Sequence, residues 1–492
     1  MKKIYLTLTI TLFSISMFAQ IRYVEKVFTD VTVNSNVIYG NNFTIITGAP
    51  MAVDLRMDVY EPAGDTATKR PLIIFCHTGS YIPRFANQLP TGDKTDSATV
   101  EFAKEFAKRG YVVANISYRQ GWNALSADEK VRTSTILQAV YRSMHDAKTA
   151  ARFFAKEAAF NNNPFKVDTN KIAIGGNGTG GYVAINTISL NKSSELLIDK
   201  FINFDSMPAQ PYVREAVFGN IAGFGGLPFL NKDNWKNHNA DFKFGFTIGG
   251  AVGDSSWIES GEAPVVSVHG LLDPFAPYGL GIVFVPGTST SVVEVSGGGD
   301  IMKKVDRLGN NASYKGKVGG NLSRILNTRD GIDGLYTILG QINASGPWEW
   351  YDTNFIKTNI SNGQAIVTNG LRSNPNMSKE KAMAFIDSIC KYVAPRMAIS
   401  MGFVSNYALS VKDVKLGDAN AYPNPVNGSL NINANSDILK IEILDITGKV
   451  IKTINENKGL NSIVDFSALS NGTYLVNVTT KNGLSSLKIV KE

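Results

Sequence analysis

Short, wholly apolar runs alternate with longer stretches of helical periodicity through the first half of the chain. Residues 71–76, Pro-Leu-Ile-Ile-Phe-Cys, and 111–116, Tyr-Val-Val-Ala-Asn-Ile, show no polar alternation. That is the pattern of strands buried on both faces of a parallel sheet. Between them, residues 97–109 repeat with helical spacing and close on Gly110, a glycine suited to follow a helix end. A long helix is predicted over about 133–158, and a further apolar run, 172–174, meets a cluster of glycines. Upstream, residues 23–46 alternate as half-exposed strands do, and 55–62 read as a strand stopped by Pro62. Downstream, 242–248 and 264–268 read as later sheet strands and 378–397 as a closing helix that begins at Ser378. Strands alternating with helices predict an α/β domain with a mainly parallel sheet flanked by helices. Residues 281–340 are glycine-rich and resist assignment. Residues 201–241, irregular and rich in glycine, proline and aromatics, form either the roof of a site or a surface excursion.

From about residue 405 the pattern changes. A linker over 405–420 leads into short strands separated by Asn427-Gly428, Thr447-Gly448, Asn471-Gly472 and Asn482-Gly483 turns. This predicts a small all-β sandwich over 421–492. The segment resembles the C-terminal sorting domain of the type IX secretion system. The resemblance rests on Tyr422-Pro-Asn-Pro425, on Ile441-Glu-Ile-Leu-Asp-Ile-Thr-Gly-Lys449, on Leu469-Ser-Asn-Gly-Thr-Tyr-Leu475, and on a terminal strand carrying Lys488 and Lys491. It implies a Bacteroidota-type origin, passage across the outer membrane by the type IX machinery, and removal of this domain. A carbohydrate-binding or adhesion sandwich is the alternative, but no aromatic platform or acidic cluster supports it.

Composition agrees with a multidomain exported protein. A chain of 492 residues exceeds one ordinary domain. Its net charge of +7 is spread among acids, so no nucleic-acid-binding stripe is visible. Residues 1–19 carry Lys2 and Lys3, then an apolar stretch, then small residues around Ser16 and Ala19. They read as a signal peptide too short to span a bilayer, with no cysteine for a lipid anchor. No later segment predicts a transmembrane span. The domain over 20–404 holds both cysteines, Cys76 and Cys390, which read as buried thiols in an exported chain that would also permit a disulfide.

The stretch with chemical content is Gly175-Gly-Asn-Gly-Thr-Gly-Gly181, between an apolar run and a helix-compatible stretch. It resembles the nucleophile elbow of α/β-hydrolases, Gly-x-Ser-x-Gly, with Gly178 where the family keeps its serine. Two further stretches resemble carboxylesterase-like members of that fold. His77-Thr-Gly-Ser80 stands where the family has its oxyanion loop, His-Gly-Gly-Gly, which implies backbone donors at Gly79, Ser80 and Thr179. His77 would pin that loop. His269-Gly-Leu-Leu-Asp273, ending at Pro277, resembles the acid motif His-Gly-x-x-Asp-x-x-x-Pro and puts Asp273 in the place of the catalytic acid, although a turn-capping aspartate has the same form.

The family order is serine, acid, histidine, yet none of the four histidines, His77, His145, His238 and His269, follows Asp273. A Pro-Trp match at 347–348 aligns Ser345 with the family's base. Glycine cannot attack a carbonyl, and a serine cannot take up a proton near neutral pH as an imidazole does. The leading expectation is a secreted or cell-surface, non-catalytic relative that binds an ester-, glycan- or peptide-like ligand. Two alternatives stand beside it: an active esterase or peptidase with a rewired triad that uses Asp273, in which His238 swings inward, and a cell-surface structural or interaction protein. The stretch 175–180, only superficially similar to Gly-x-Gly-x-x-Gly, lacks the setting of a dinucleotide fingerprint, and no metal-ligand spacing is present, so neither cofactor nor metal is expected.

Overall fold

Apolar residues on alternate sides of each central strand build the first unit. The computed structural model describes residues 20–84, 86–319, 330–338, 346–408, 419–445, 450–455, 459–481 and 483–492. The chain divides into two units, Met1–Tyr407 and Ala408–Glu492. The first contains an eight-stranded sheet formed by β1 (Val31–Thr44), β2 (Met51–Pro62), β3 (Arg70–Cys76), β4 (Val112–Ile116), β5 (Val167–Asn177), β6 (Phe244–Ile248), β7 (Val265–Gly270) and β8 (Leu335–Ile338). Their spatial order is β1-β2-β4-β3-β5-β6-β7-β8. Strands β3 to β8 run parallel to one another, while β2 pairs antiparallel with both β4 and β1 at the edge.

Every residue of β3 is buried, as its unbroken apolar run predicts. Leu72, Ile74 and Cys76 enter one core cluster with Tyr141 and Met144 of α2 (Glu129–Phe160) and Val183 of α3 (Thr179–Ser189). Phe75 points the other way and meets Phe102 of α1 (Ser97–Ala107), with ring centroids 5.6 Å apart. Period-two alternation therefore sandwiches the sheet between helices. Helix α2 is longer than its periodicity suggests, because Asp128 caps it one turn earlier by accepting the Lys130 amide at 2.8 Å. The described residues of the region 281–340 also hold regular structure. The region holds a hairpin of Leu280–Phe284 and Ser291–Gly297, the helix α4 (Gly298–Leu308) and β8. Two further helices, α5 (Thr353–Asn359) and α6 (Gly363–Ser373), precede α7 (Lys379–Ser400), whose first turn is capped by Ser378. Both cysteines are buried and unpaired.

In the second unit, Ser429–Asn433 pairs with Asn420–Tyr422 and Asn461–Asp465 in a three-stranded antiparallel sheet. Ile438–Leu444, Val450–Asn455, Gly472–Thr480 and Gly483–Lys491 form a four-stranded one. Alternate residues such as Leu430, Ile432, Ile441, Ile443, Val476 and Val478 share one buried cluster. No helix among the described residues is long and apolar enough to cross a membrane.

Candidate functional site

Strand β5 turns into α3 at Gly178, whose φ of 52° and ψ of −121° would strain any residue with a Cβ. Its amide donates to the Ile248 carbonyl at 2.7 Å, which anchors the turn to the end of β6. The flanking glycines are needed for a different reason, close approach. A Cβ on Gly176 would stand 2.4 Å from the Gly180 backbone, and one on Gly181 2.5 Å from Thr247 Oγ1. The space above Gly178 is filled from another element: Thr78 Oγ1 lies 2.2 Å from where a Cβ on residue 178 would stand.

The loop after β3 folds over this turn. Gly79 has a φ of 129° and lies against Gly92, with no room for a side chain. The Ser80 amide donates to Thr179 Oγ1 at 2.6 Å. That amide was expected to face an oxyanion, and it is instead satisfied within the protein. The Thr179 hydroxyl points back to the loop. His77 stacks on Tyr118 with ring centroids 4.6 Å apart, and its Nδ1 contacts the Thr78 carbonyl at 2.5 Å. Burial lowers His77 to about 4, and the same cause lowers His269, whose Nε2 contacts the Ala276 carbonyl at 2.9 Å, to about 4. Both are neutral imidazoles that hold loops. His145 is buried on α2 against Tyr141, and His238 lies against Phe160, on the wall of a separate polar cleft. None of the four histidines lines the space beside Gly178.

That space is a cavity of about 180 Å³. Thr78, Ser80, Gly178, Thr179 and Asp273 meet on its wall. Ser345 lies outside the described residues, but Gly346 next to it lines the cavity. Residues 201–241 contribute nothing to the lining. They lie elsewhere, with the Trp235 indole donating to the Tyr39 carbonyl of β1 at 2.7 Å. The cavity is walled instead by the loop at 89–91, by Trp122, by the 280–297 hairpin and by residues from 346 to 374.

Two carboxyl groups face it. Asp273 Oδ1 accepts the amides of Phe275 at 2.8 Å and Ala276 at 3.2 Å. Burial outweighs these bonds and pushes Asp273 up to about 7. Glu349, which the sequence showed only as part of a Pro-Trp-Glu string, accepts from Asn177 Nδ2 at 2.6 Å. Burial, with a smaller contribution from the charge of Asp96, pushes it up to about 8. Each residue keeps part of its surface, as cavity-lining residues do, yet neither carboxyl is well solvated. The available signal for Glu349 was an acid set among Trp348, Trp350 and Tyr351.

A raised carboxyl pKa means that the folded state holds its proton more tightly than the unfolded chain. Stability from this source is complete below about pH 4.5 and declines as pH rises toward about 8. Glu349→Gln is therefore expected to flatten the fall in stability over that interval by up to one proton, measured by denaturant unfolding at several pH values. An unchanged slope would remove Glu349 as its source.

The sheet order, the elbow and the flanking helices define the first unit as an α/β-hydrolase of esterase-like fold. A family model described as BD-FAE matches residues 57–284, and one described as a secretion system C-terminal sorting domain matches residues 420–492. The chain thus carries an esterase-like domain followed by a type IX sorting domain, which marks it for the cell surface or for secretion. No curated protein matches it. Among solved structures it is similar to Thermogutta terrifontis esterase 2 phosphorylated by paraoxon. Identity is 14%, with 77% of this chain and 96% of that chain covered and a TM-score of 0.36. The apo form of the same esterase gives 14% identity, 78% and 98% coverage and a TM-score of 0.36. The propionate-bound Est2 of this Planctomycetes species gives 13%, 78%, 98% and 0.35.

Proposed function

We propose that this protein is a non-catalytic pseudo-hydrolase that binds a small ester-, glycan- or peptide-like ligand after export. The observation that carries this reading is the make-up of the cavity wall: glycine at the apex of the elbow and no imidazole beside it. Acyl transfer needs a nucleophile and a base matched to neutral pH. Asp273 in the acid's place can orient a base but not replace one. Aromatic walls formed by Trp122, Tyr182, Trp348 and Tyr351 support ligand binding over a purely structural role. An anionic oxygen of the ligand would meet the amides of Gly79 and Thr179, since that of Ser80 is engaged. In this reading residues 1–19 leave as a signal peptide, 20–404 form the binding domain, and 421–492 direct export across a 405–420 linker.

The full chain is expected to hydrolyse a short-chain chromogenic ester no faster than background. Turnover that disappears in Asp273→Ala would overturn the reading. A rewired esterase has one observation in its favour, the Thr78 hydroxyl standing where the side chain of residue 178 would begin. In that case Thr78→Val would abolish activity as well.

A further inference from the structure

Lys148 and Arg152 stand one turn apart on α2, and both are buried, at 9% and 5% exposure. A spacing of four places them on one face of the helix. Burial and the charge of Arg152 lower Lys148 to about 7, so the two cations sense each other, and Glu195 offsets this more weakly. Burial alone lowers Arg152 to about 10, with no carboxylate favouring its charge. One segment holds both residues. The Ile221 carbonyl accepts from Lys148 Nζ at 2.7 Å, and the Phe224 ring centroid lies 4.3 Å from the Arg152 guanidinium carbon. The other buried arginines of the described residues donate to carboxylates or carbonyls, as Arg70 does to Glu61 and Arg142 to Gly121. Arg152 donates to nothing among them. Its Nε is enclosed without a partner, and its two terminal nitrogens keep accessible surface.

Both cations line the polar cleft that also holds His238, a space of about 660 Å³. The cleft shares no wall residue with the cavity beside Gly178. Acids line it too, but they are engaged elsewhere. Glu259 pairs with Lys192, and Glu262 accepts from Asn191 Nδ2 at 3.0 Å. Asp241 and Lys243 are also on the wall and cancel in net charge.

A guanidinium withdrawn from water without a hydrogen-bond partner is costly. The Phe224 ring satisfies one face of Arg152 but uses none of its N–H donors. We infer that the cleft is a second binding site, in which the terminal nitrogens of Arg152 hold a dianionic phosphate group and the charge of Lys148 reinforces them. Two cations match a phosphate dianion better than the single charge of a carboxylate, and the guanidinium fork suits oxygens in pairs. Thr187, Asn239 and Ser260 on the remaining wall offer hydrogen bonds to a hydroxylated body. The site stands apart from the elbow cavity and does not depend on what occupies it.

The test is calorimetry on the full chain at pH 6.5 and low salt. A phosphate monoester, whose second ionisation lies at about 6, is then mostly dianionic, and Lys148 is mostly charged. The probes are glucose 6-phosphate, inorganic phosphate, glucose and acetate. Glucose 6-phosphate is expected to bind about tenfold more tightly than glucose or acetate, with inorganic phosphate competing for the same site. Arg152→Gln and Lys148→Gln should each weaken it about tenfold, whereas Lys315→Ala, on exposed surface outside the cleft, should change nothing. Unfolding midpoints show which variants fold. Should Arg152→Gln not fold, Arg152→Lys keeps the charge without the fork and is also expected to weaken binding. Tighter binding of glucose 6-phosphate than of phosphate would assign the site to a phosphorylated, hydroxylated compound, and equal binding would assign it to the free anion. Glucose or acetate binding as tightly as the phosphates would overturn the inference. So would failure of both phosphates to bind at millimolar concentration, or phosphate affinity unchanged in the folded cleft variants.

Discussion

Asp146→Ala is expected to destabilise the first unit by about 3–5 kcal/mol, the cost of leaving one member of a buried ion pair without its partner. Asp146 is buried on α2, and its carboxylate holds Arg119 at 2.8 Å while accepting the Arg119 amide at 2.7 Å. The guanidinium also donates to the Leu230 and Arg142 carbonyls, so one side chain joins α2, the loop after β4 and the 201–241 segment. Removing the carboxylate leaves the Arg119 charge near that of Arg142, whose own ionisation burial and Arg119 already disfavour. Urea unfolding of the full chain, monitored by tryptophan fluorescence, measures the loss. Lys315→Ala is the control, since its pair with Asp306 is exposed and worth under about 1 kcal/mol. A loss at Asp146 no larger than the control's would show that the pair does not hold these elements together.

Gly180→Ala is expected to cost about 3 kcal/mol or more, beyond the ordinary range for an overpacked core. The new Cβ would stand 1.9 Å from the Cys76 carbonyl oxygen and 2.8 Å from that of His77. Both are backbone atoms at the end of β3, and no rotamer change relieves the contact. Helix α3 would have to move away from the sheet, which strains the Gly178–Ile248 and Ser80–Thr179 hydrogen bonds that shape the cavity. Gly309→Ala makes the comparison, because its φ of 74° carries backbone strain but nothing lies within 4 Å. That variant should lose about 1–2 kcal/mol. Similar midpoints for the two variants would mean that α3 shifts without penalty.

The glycines of the elbow were legible in the sequence because their causes are local. A positive φ and a tight strand–helix turn leave a mark within a few residues. Glycine at position 178 and the absence of histidine after Asp273 needed only the chain order. The buried strands of the sheet and the sorting domain were legible for a similar reason, since period and turn chemistry are written along the chain. The walls of the cavity were not. Residues 201–241, with their aromatics, had the composition of a roof, yet the lining comes from the 280–297 hairpin and from residues 346–374.

The sequence alone determined the class of fold, the glycine at the elbow apex and the export signal at the C-terminus, each from short-range pattern. Only the tertiary structure decided what occupies the space above that glycine and what charge faces it. Thr78 is brought over Gly178 by the pairing of β3 with β5, and Glu349 meets Asn177 across 172 residues of chain. Contacts of that kind depend on which strands become neighbours. No periodicity records them, so Glu349 stood in the sequence as an ordinary acid among aromatics until the fold placed its carboxyl beside Asn177 on the wall that Asp273 also lines.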